Sequence, residues 1–190
     1  EQIESEFFIN TLITTDKSPN RAGALALKIK GDAKNAEVKN IIDGGPKVVI
    51  ILGNPFEKDP EIQQKIKPAQ LVVHIGSDHN CWSEIADVVL PGQYYSEKKV
   101  TFTNKLQQVQ STDIAVQSLR RSRPEWQIIV ELAHALGHKY SFSNINQVFA
   151  AMAEETKAFS GLSFDQIGDK GMKLKQTFKD TGMKLVQSPA

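Results

Sequence analysis

The chain has 190 residues, a formal net charge of +1, and 40% hydrophobic against 24% charged residues, the balance of a soluble globular protein with room for a real core. So small a net charge, with no block of like charges, gives no electrostatic case for nucleic acid. The longest apolar run, Val48 to Leu52, is far too short to span a bilayer, and the single cysteine, Cys81, excludes an internal disulfide framework or an iron–sulfur cluster held by thiolates of this chain alone.

No signal peptide is visible. The start at Glu1 and the polar end Gln187-Ser188-Pro189-Ala190 read as a piece of something longer, and the lone cysteine fits a reducing compartment. Residues 4 to 14 place Phe8 and Leu12, with Ile9 and Ile13 beside them, at helical spacing, which predicts a short amphipathic helix. Ser18 to Gly23 reads as a turn. A second helix is expected from about Ala33 to Ile42, stopped by Gly44-Gly45-Pro46.

The pattern then changes. Lys47 to Leu52, Leu71 to Ile75 and Asp87 to Leu90 are short apolar runs, β-branched and too short for helices, and read as buried strands. Pro60 to Ile66 is a helix with proline in its first turn, and Ser83 to Ala86 is a helical turn. Apolar strands alternating with short helices predict parallel βαβ units with helices over the sheet. Pro91 cannot donate to a ladder, so the third strand ends there. After it, Tyr94, Tyr95, Phe102 and Val109 anchor a stretch with little expected regular structure.

Arg123-Pro124-Glu125 opens a strong helix, whose Trp126, Ile129, Val130, Ala133 and Leu136 share a face until Gly137. Asn144 with Gln147 caps another, with Ile145, Val148, Phe149 and Met152 as its buried stripe. Ser163 and Gln166 repeat the cap signal before Gly168 and Gly171. Met172 to Val186 is Lys-rich and reads as frayed or dependent on missing neighbours. The expected fold class is α/β: a small parallel sheet of βαβ units, Rossmann-like and three-layered, with additional C-terminal helices. The expected division is a helical lead-in over 1–46, an α/β domain over 47–122 and a helical segment over 123–190 packing on it.

Gly53-Asn54-Pro55 and Gly76-Ser77-Asp78-His79 follow the first two strands. The carboxyl edge of an open parallel sheet, at a switch in strand order, is where such sheets bind ligands. Backbone N–H groups there, with Asp78, suit a nucleotide or pterin-type ligand, although turn chemistry alone also selects these residue types. Neither GxGxxG nor a P-loop occurs. Glu131, His134 and His138 lack the second carboxylate–histidine pair of a di-iron site and the His-Glu order of a zinc protease. The dipole at a helix C-terminus accounts for both histidines. Cys81 beside Trp82 reads as a packed thiol rather than a nucleophile paired with His79 or His74. Arg120, Arg121 and Arg123 read as a solvated linker.

Ala86-Asp87-Val88-Val89-Leu90-Pro91, then Glu97-Lys98, Thr101-Phe102-Thr103-Asn104 and Gln108-Val109-Gln110, resembles the molybdopterin oxidoreductase family, as do Ser18-Pro19-Asn20-Arg21-Ala22-Gly23-Ala24, Gly53-Asn54-Pro55 and the run from Arg123 to Ala133. Within the family, the Asn-Arg-Ala-Gly landmark and the tail through Val148-Phe149 and Ile167-Gly168 are most similar to the G-type subunits of NADH–quinone oxidoreductase, respiratory complex I. That resemblance implies a C-terminal fragment of a longer electron-transfer subunit in the respiratory chain. It implies iron–sulfur clusters on the missing part, no metal or catalytic residue here, and other subunits of the peripheral arm as partners. It places the whole on the cytoplasmic, inner face of the plasma membrane. Two departures weigh against a bound molybdopterin: Lys99-Val100 stands where the family has Asp-Gly, and Leu106-Gln107-Gln108 where it has Glu-Gly-Arg. Those changes remove a permissive turn and a fork donor for anions. The alternative is the cofactor-binding portion of an active molybdopterin-dependent oxidoreductase such as a formate dehydrogenase. Gly53, Asn54, Asp78 and Asn104 would then line the nucleotide end of the pterin cofactor.

Overall fold

A computed structural model describes residues 12–14, 20–29, 36–55, 59–118, 121–168, 170–175 and 183–185. The chain divides into two compact units: one of residues 1–29, 101–110 and 150–190, the other of residues 30–100 and 111–149.

The second unit holds the parallel sheet. Its strands are β2 (Val48–Leu52), β3 (Leu71–Gly76) and β4 (Val88–Pro91), in the order β2-β3-β4. Val48 pairs with Leu71 and Leu52 with Ile75; Val73 pairs with Val88 and Gly76 with Pro91. Both pairings are parallel, as the alternation of apolar runs and helices requires. The α/β fold class is therefore as expected. The strand order is sequential, so no switch point lies among the described strands.

Side chains alternate between the two faces of the sheet. On one face Ile51 and Val72 pack with Ile66 of helix α3 (Pro60–Ile66) and Trp82 of helix α4 (Cys81–Ile85). On the other, Val73 and Ile75 pack with Ile128 of helix α5 (Glu125–Ala135), flanked by Leu90. Helices thus cover both faces, but unevenly. Val48, Ile50 and Leu52 of β2 share the second face and stay 56%, 49% and 53% exposed, and Val88 and Val89 of β4 are exposed too, so the expectation of buried first and third strands is corrected. The reach of α5 sets this limit, because its Ile128 meets the β3 side of the sheet. The expected stripe on α5 shifts accordingly: Ile128 is buried, while Ile129 and Leu136 are exposed.

Local chemistry sets the helix starts. Asp59 Oδ1 accepts from Ile62 N–H at 3.3 Å, with Pro60 at the first helical position. Asn80 Oδ1 accepts from Trp82 and Ser83 N–H, and Ser83 Oγ accepts from Asn80 N–H at 2.9 Å, a reciprocal capping box. Helix α6 (Ile145–Glu155) is capped as the Asn144/Gln147 spacing suggests, with Gln147 N–H donating to Asn144 Oδ1 at 3.0 Å. The glutamine side chain itself turns back to Ser143 N–H at 2.8 Å. Helix α2 (Ala36–Asp43) precedes the sheet.

In the first unit, helix α1 (Arg21–Ala26) begins where a turn was expected. Leu12–Thr14 is not helical: it forms strand β1, antiparallel to β8 (Met183–Leu185). Helical spacing could not reveal this, because the partner strand lies far along the chain; the rest of the expected 4–14 helix falls outside the described residues. The stretch after Pro91 is also more regular than expected. It contains β5 (Val100–Thr103) and β6 (Gln108–Thr112), neighbours in a sheet whose third strand is β7 (Met172–Lys173). Within the Lys-rich segment, Met172 pairs antiparallel with Val109, and Met183–Leu185 is the partner of β1; residues 176–182 and 186 lie outside the described residues. These strands are rich in Thr, Val and Gln, with Thr103 and Val109 the buried anchors, so their apolar signal was weak. Helix α7 (Phe164–Ile167) is cut short before Gly168 as the sequence indicated.

Candidate cofactor-binding edge

The carboxyl ends of β2, β3 and β4 bring three turns side by side. Gly53 leaves β2 with φ +72°, a conformation in which a Cβ is strained. Its N–H donates to Ile75 O at 2.8 Å. Its carbonyl accepts from His74 Nε2 at 2.9 Å, which fixes the imidazole proton on Nε2. His74 is fully buried, and its Nδ1 has no hydrogen-bond partner among the described residues. Gly76 admits the ring: a Cβ there would lie 2.6 Å from His74 Nε2.

Asn54 is exposed, with its Oδ1 4.0 Å from the half-buried Cys81 thiol. Pro55 O accepts from Trp82 Nε1 at 2.6 Å, so the buried indole fastens this loop to the core. Ser77 Oγ donates to the exposed Asp78 carboxylate at 3.1 Å. The third turn begins at Gly92, whose N–H donates to Gly76 O at 2.9 Å. The edge therefore presents an amide and a carboxylate on backbone held by hydrogen bonds. Such acceptors suit the N–H groups of a polar heterocycle, and the open space beside Gly53 would let one approach the backbone.

Of the expected ligand-facing residues, the structure brings together Gly53, Asn54 and Asp78. Asn104 belongs to the other unit. It builds the β5–β6 hairpin: its Oδ1 accepts from Leu106 N–H at 2.9 Å and Gln108 N–H at 3.1 Å, and its N–H donates to Gln108 O. The amide oxygen is thus committed to the turn. Cys81 packs beside the Ile51–Trp82 core, and His134 closes on the backbone of Tyr140, which donates to its Nε2 at 3.2 Å. Among the described residues, no group of three or more His, Cys, Asp or Glu side chains is arranged to hold a metal ion.

Several motif residues have structural tasks. Asp87 Oδ2 accepts from Val72 N–H at 2.8 Å, pinning β4 to the start of β3. Asn20 Oδ1 accepts from Thr103 N–H at 2.8 Å, so the Asn-Arg-Ala-Gly and Thr-Phe-Thr-Asn segments meet. Residues 3–135, well over half of the chain, match the molybdopterin oxidoreductase family. The chain belongs to that family. It is 29% identical over 132 residues to the F420-dependent formate dehydrogenase 1 subunit alpha of Methanococcus maripaludis, an alignment covering 66% of this chain and 20% of that protein. It is 27% identical over 164 residues to the F420-dependent formate dehydrogenase subunit alpha of Methanocaldococcus jannaschii, covering 83% of this chain and 23% of the relative. The chain therefore spans about a fifth of the length of these relatives.

The residues present at the sheet edge fit a pterin cofactor's nucleotide end in part. Gly53, Asn54 and Asp78 offer space and acceptors, and the buried His74, whose Nδ1 has no hydrogen-bond partner among the described residues, lies on the strand behind them. The hairpin residue Asn104 offers less, because its oxygen is engaged. His74 and Trp82, which hold the edge in place, were not singled out from sequence for that task; a histidine within an apolar strand run and a Trp at a helix start were the available signals.

Proposed function

We propose that this chain is the cofactor-binding portion of a molybdopterin-dependent oxidoreductase of the formate dehydrogenase type. Gly53, Asn54 and Asp78 would line the nucleotide end of the pterin cofactor, which when bound would supply the two-electron chemistry at its metal. The observation that carries this reading is the juxtaposition of the Gly53–Asn54 and Ser77–Asp78 turns at the carboxyl edge of the sheet. The similarity to formate dehydrogenase alpha subunits supports it. In this role Asp78 and Asn54 accept hydrogen bonds from the ligand, and the buried His74 keeps the Gly53 carbonyl turned inward. No residue of this chain is assigned the chemical step.

The test is formate-dependent reduction of a viologen dye by the full-length protein and its Asp78→Ala variant. Formate oxidation by the wild type, slower by about tenfold (~1.4 kcal/mol) in the variant together with lost pterin, is the expected result. An inert wild type with no pterin would overturn the reading.

A second reading is a scaffold domain in a G-type subunit of NADH–quinone oxidoreductase, on the inner face of the membrane among peripheral-arm subunits. No helix among the described residues is long and apolar enough to cross a membrane. The specific support for this reading is the hairpin, where Gln107 occupies the family's glycine position at φ +59° and Asn104 serves the turn. Such a domain would carry no cofactor itself, and Asp78→Ala would leave electron transfer by the assembled enzyme nearly unchanged.

A further inference from the structure

The third turn of the sheet edge is held by side chains that no part of the functional reading uses. Gly92 is buried, and a Cβ there would lie 2.9 Å from Glu125 Oε1 and 3.3 Å from its Cδ. The absence of a side chain is what lets the carboxylate sit against this backbone. Lys98 Nζ donates to Gln93 O at 2.7 Å and is paired with Glu125 Oε2. Gln93 N–H donates to Arg123 O and Arg123 N–H to Pro91 O, both at 3.1 Å. The backbone from Pro91 to Gln93 is thereby gripped by the segment that opens α5.

Burial gives this pair a weight that surface pairs lack. The Lys98 and Glu125 side chains are 14% and 24% exposed, against 45% and 57% for the neighbouring Arg123–Glu131 pair. Exposed pairs contribute little to stability. A largely desolvated pair that also captures a backbone carbonyl restricts geometry, and removing one partner strands the other. The restriction reaches the ligand-facing turn through one bond, from Gly92 N–H to Gly76 O at 2.9 Å. Gly76 immediately precedes Ser77 and Asp78.

We propose that Lys98 and Glu125 are positioning residues for the cofactor edge: together they lock the Gly92–Gln93 backbone, and through it the Gly76–Asp78 turn that presents the Asp78 carboxylate. This rests on the reading of that edge as the nucleotide end of the cofactor site. Neither side chain touches the ligand in this assignment.

The test uses the full-length protein with Lys98→Met, Lys98→Arg and Glu125→Gln, the last keeping the size of the group against Gly92. Three quantities are read on folded protein: pterin retained per polypeptide, hydrogen exchange of the 76–78 and 92–93 amides, and the thermal midpoint. Lys98→Met is expected to weaken cofactor retention about tenfold and to speed exchange in both turns. Glu125→Gln should act in the same direction, and Lys98→Arg should restore both readouts. Full pterin retention in Lys98→Met with only a lowered thermal midpoint would overturn the positioning role, leaving a fold clamp. Unchanged exchange in both turns would overturn the clamp itself. A wild type without pterin would sink the underlying reading instead, and it is recognised before any variant is made.

Discussion

The His74 imidazole lies against Gly76 so closely that a single added methyl group at that glycine would overlap it, at 2.6 Å from Nε2 and 2.7 Å from Cε1. The same ring holds the Gly53 carbonyl at 2.9 Å. One buried side chain therefore sets the spacing of the Gly53 and Gly76 turns at the sheet edge. Gly76→Ala is expected to destabilise the protein by about 1–3 kcal/mol, the range for overpacking a rigid site. His74→Ala removes the obstacle, so adding Gly76→Ala to it should cost little. Denaturant melts of the two single variants and the double variant measure the coupling. Simple additivity would mean that the ring does not set the spacing.

The Asn20–Thr103 contact joins two segments far apart in sequence. Thr103 is 2% exposed, and its N–H donates to Asn20 Oδ1 at 2.8 Å. Asn20→Ala would leave a buried donor without its acceptor, at a cost of about 1–3 kcal/mol. Asn20→Asp keeps an acceptor and should recover most of the loss. Chemical denaturation of both variants distinguishes the hydrogen bond from packing, since an equal loss in the two would assign the effect to packing.

Gln107 sits at φ +59°, where the family pattern has glycine. A side chain in this region costs roughly 1–2 kcal/mol, and glycine's extra freedom in the unfolded chain returns part of that. Gln107→Gly should therefore stabilise the protein by about 0.5–1 kcal/mol. Its backbone bond to Leu174, with Leu174 N–H donating to Gln107 O at 3.0 Å, should be kept. A lowered thermal midpoint in scanning calorimetry would show that the glutamine side chain contributes more than the strain removes.

Asp113 carries a pH signature. Its carboxyl is held below the ordinary carboxylate range, first by the Ile114 N–H at 2.8 Å and then by Lys99 at 3.4 Å. A depressed acid binds fewer protons when folded, so its contribution is present above the ordinary range and lost as pH falls through the lowered value. The midpoint difference between wild type and Asp113→Asn should shrink on going from about pH 7 to about pH 3. The group is exposed, so the difference should also shrink in high salt. A difference that grows on acidification would reverse the sign.

The parallel sheet was legible because β2, β3 and β4 are dense β-branched runs bounded by glycine and proline, and helices that pack on it carry start signals at Pro60 and at Pro124-Glu125. The β5, β6 and β7 strands were not, because their pairing depends on partners such as Met172 for Val109, which no local window contains. The same applies to Leu12–Thr14, whose ladder partner is Met183–Leu185. At the candidate site, loop position was readable: Gly53, Asn54 and Asp78 lie at the carboxyl edge as the strand pattern required. Asn104 shows the limit of that reasoning, since a motif asparagine can serve a ligand or a turn, and only the bonds to Leu106 and Gln108 N–H tell which task its oxygen performs here. Lys98 stood in the recognised pattern without a role and Glu125 only as a first-turn charge, because their meeting requires α5 to dock beside β4.

Whether the sheet edge of this chain belongs to a working pterin site is tested most directly by elemental and pterin analysis of the full-length native protein. Molybdenum or tungsten with pterin, each in proportion to polypeptide, is the expected outcome and makes the Asn54 and Asp78 turns part of a cofactor site. Iron alone, with neither molybdenum, tungsten nor pterin, would contradict it and leave this domain as scaffold in an electron-transfer subunit.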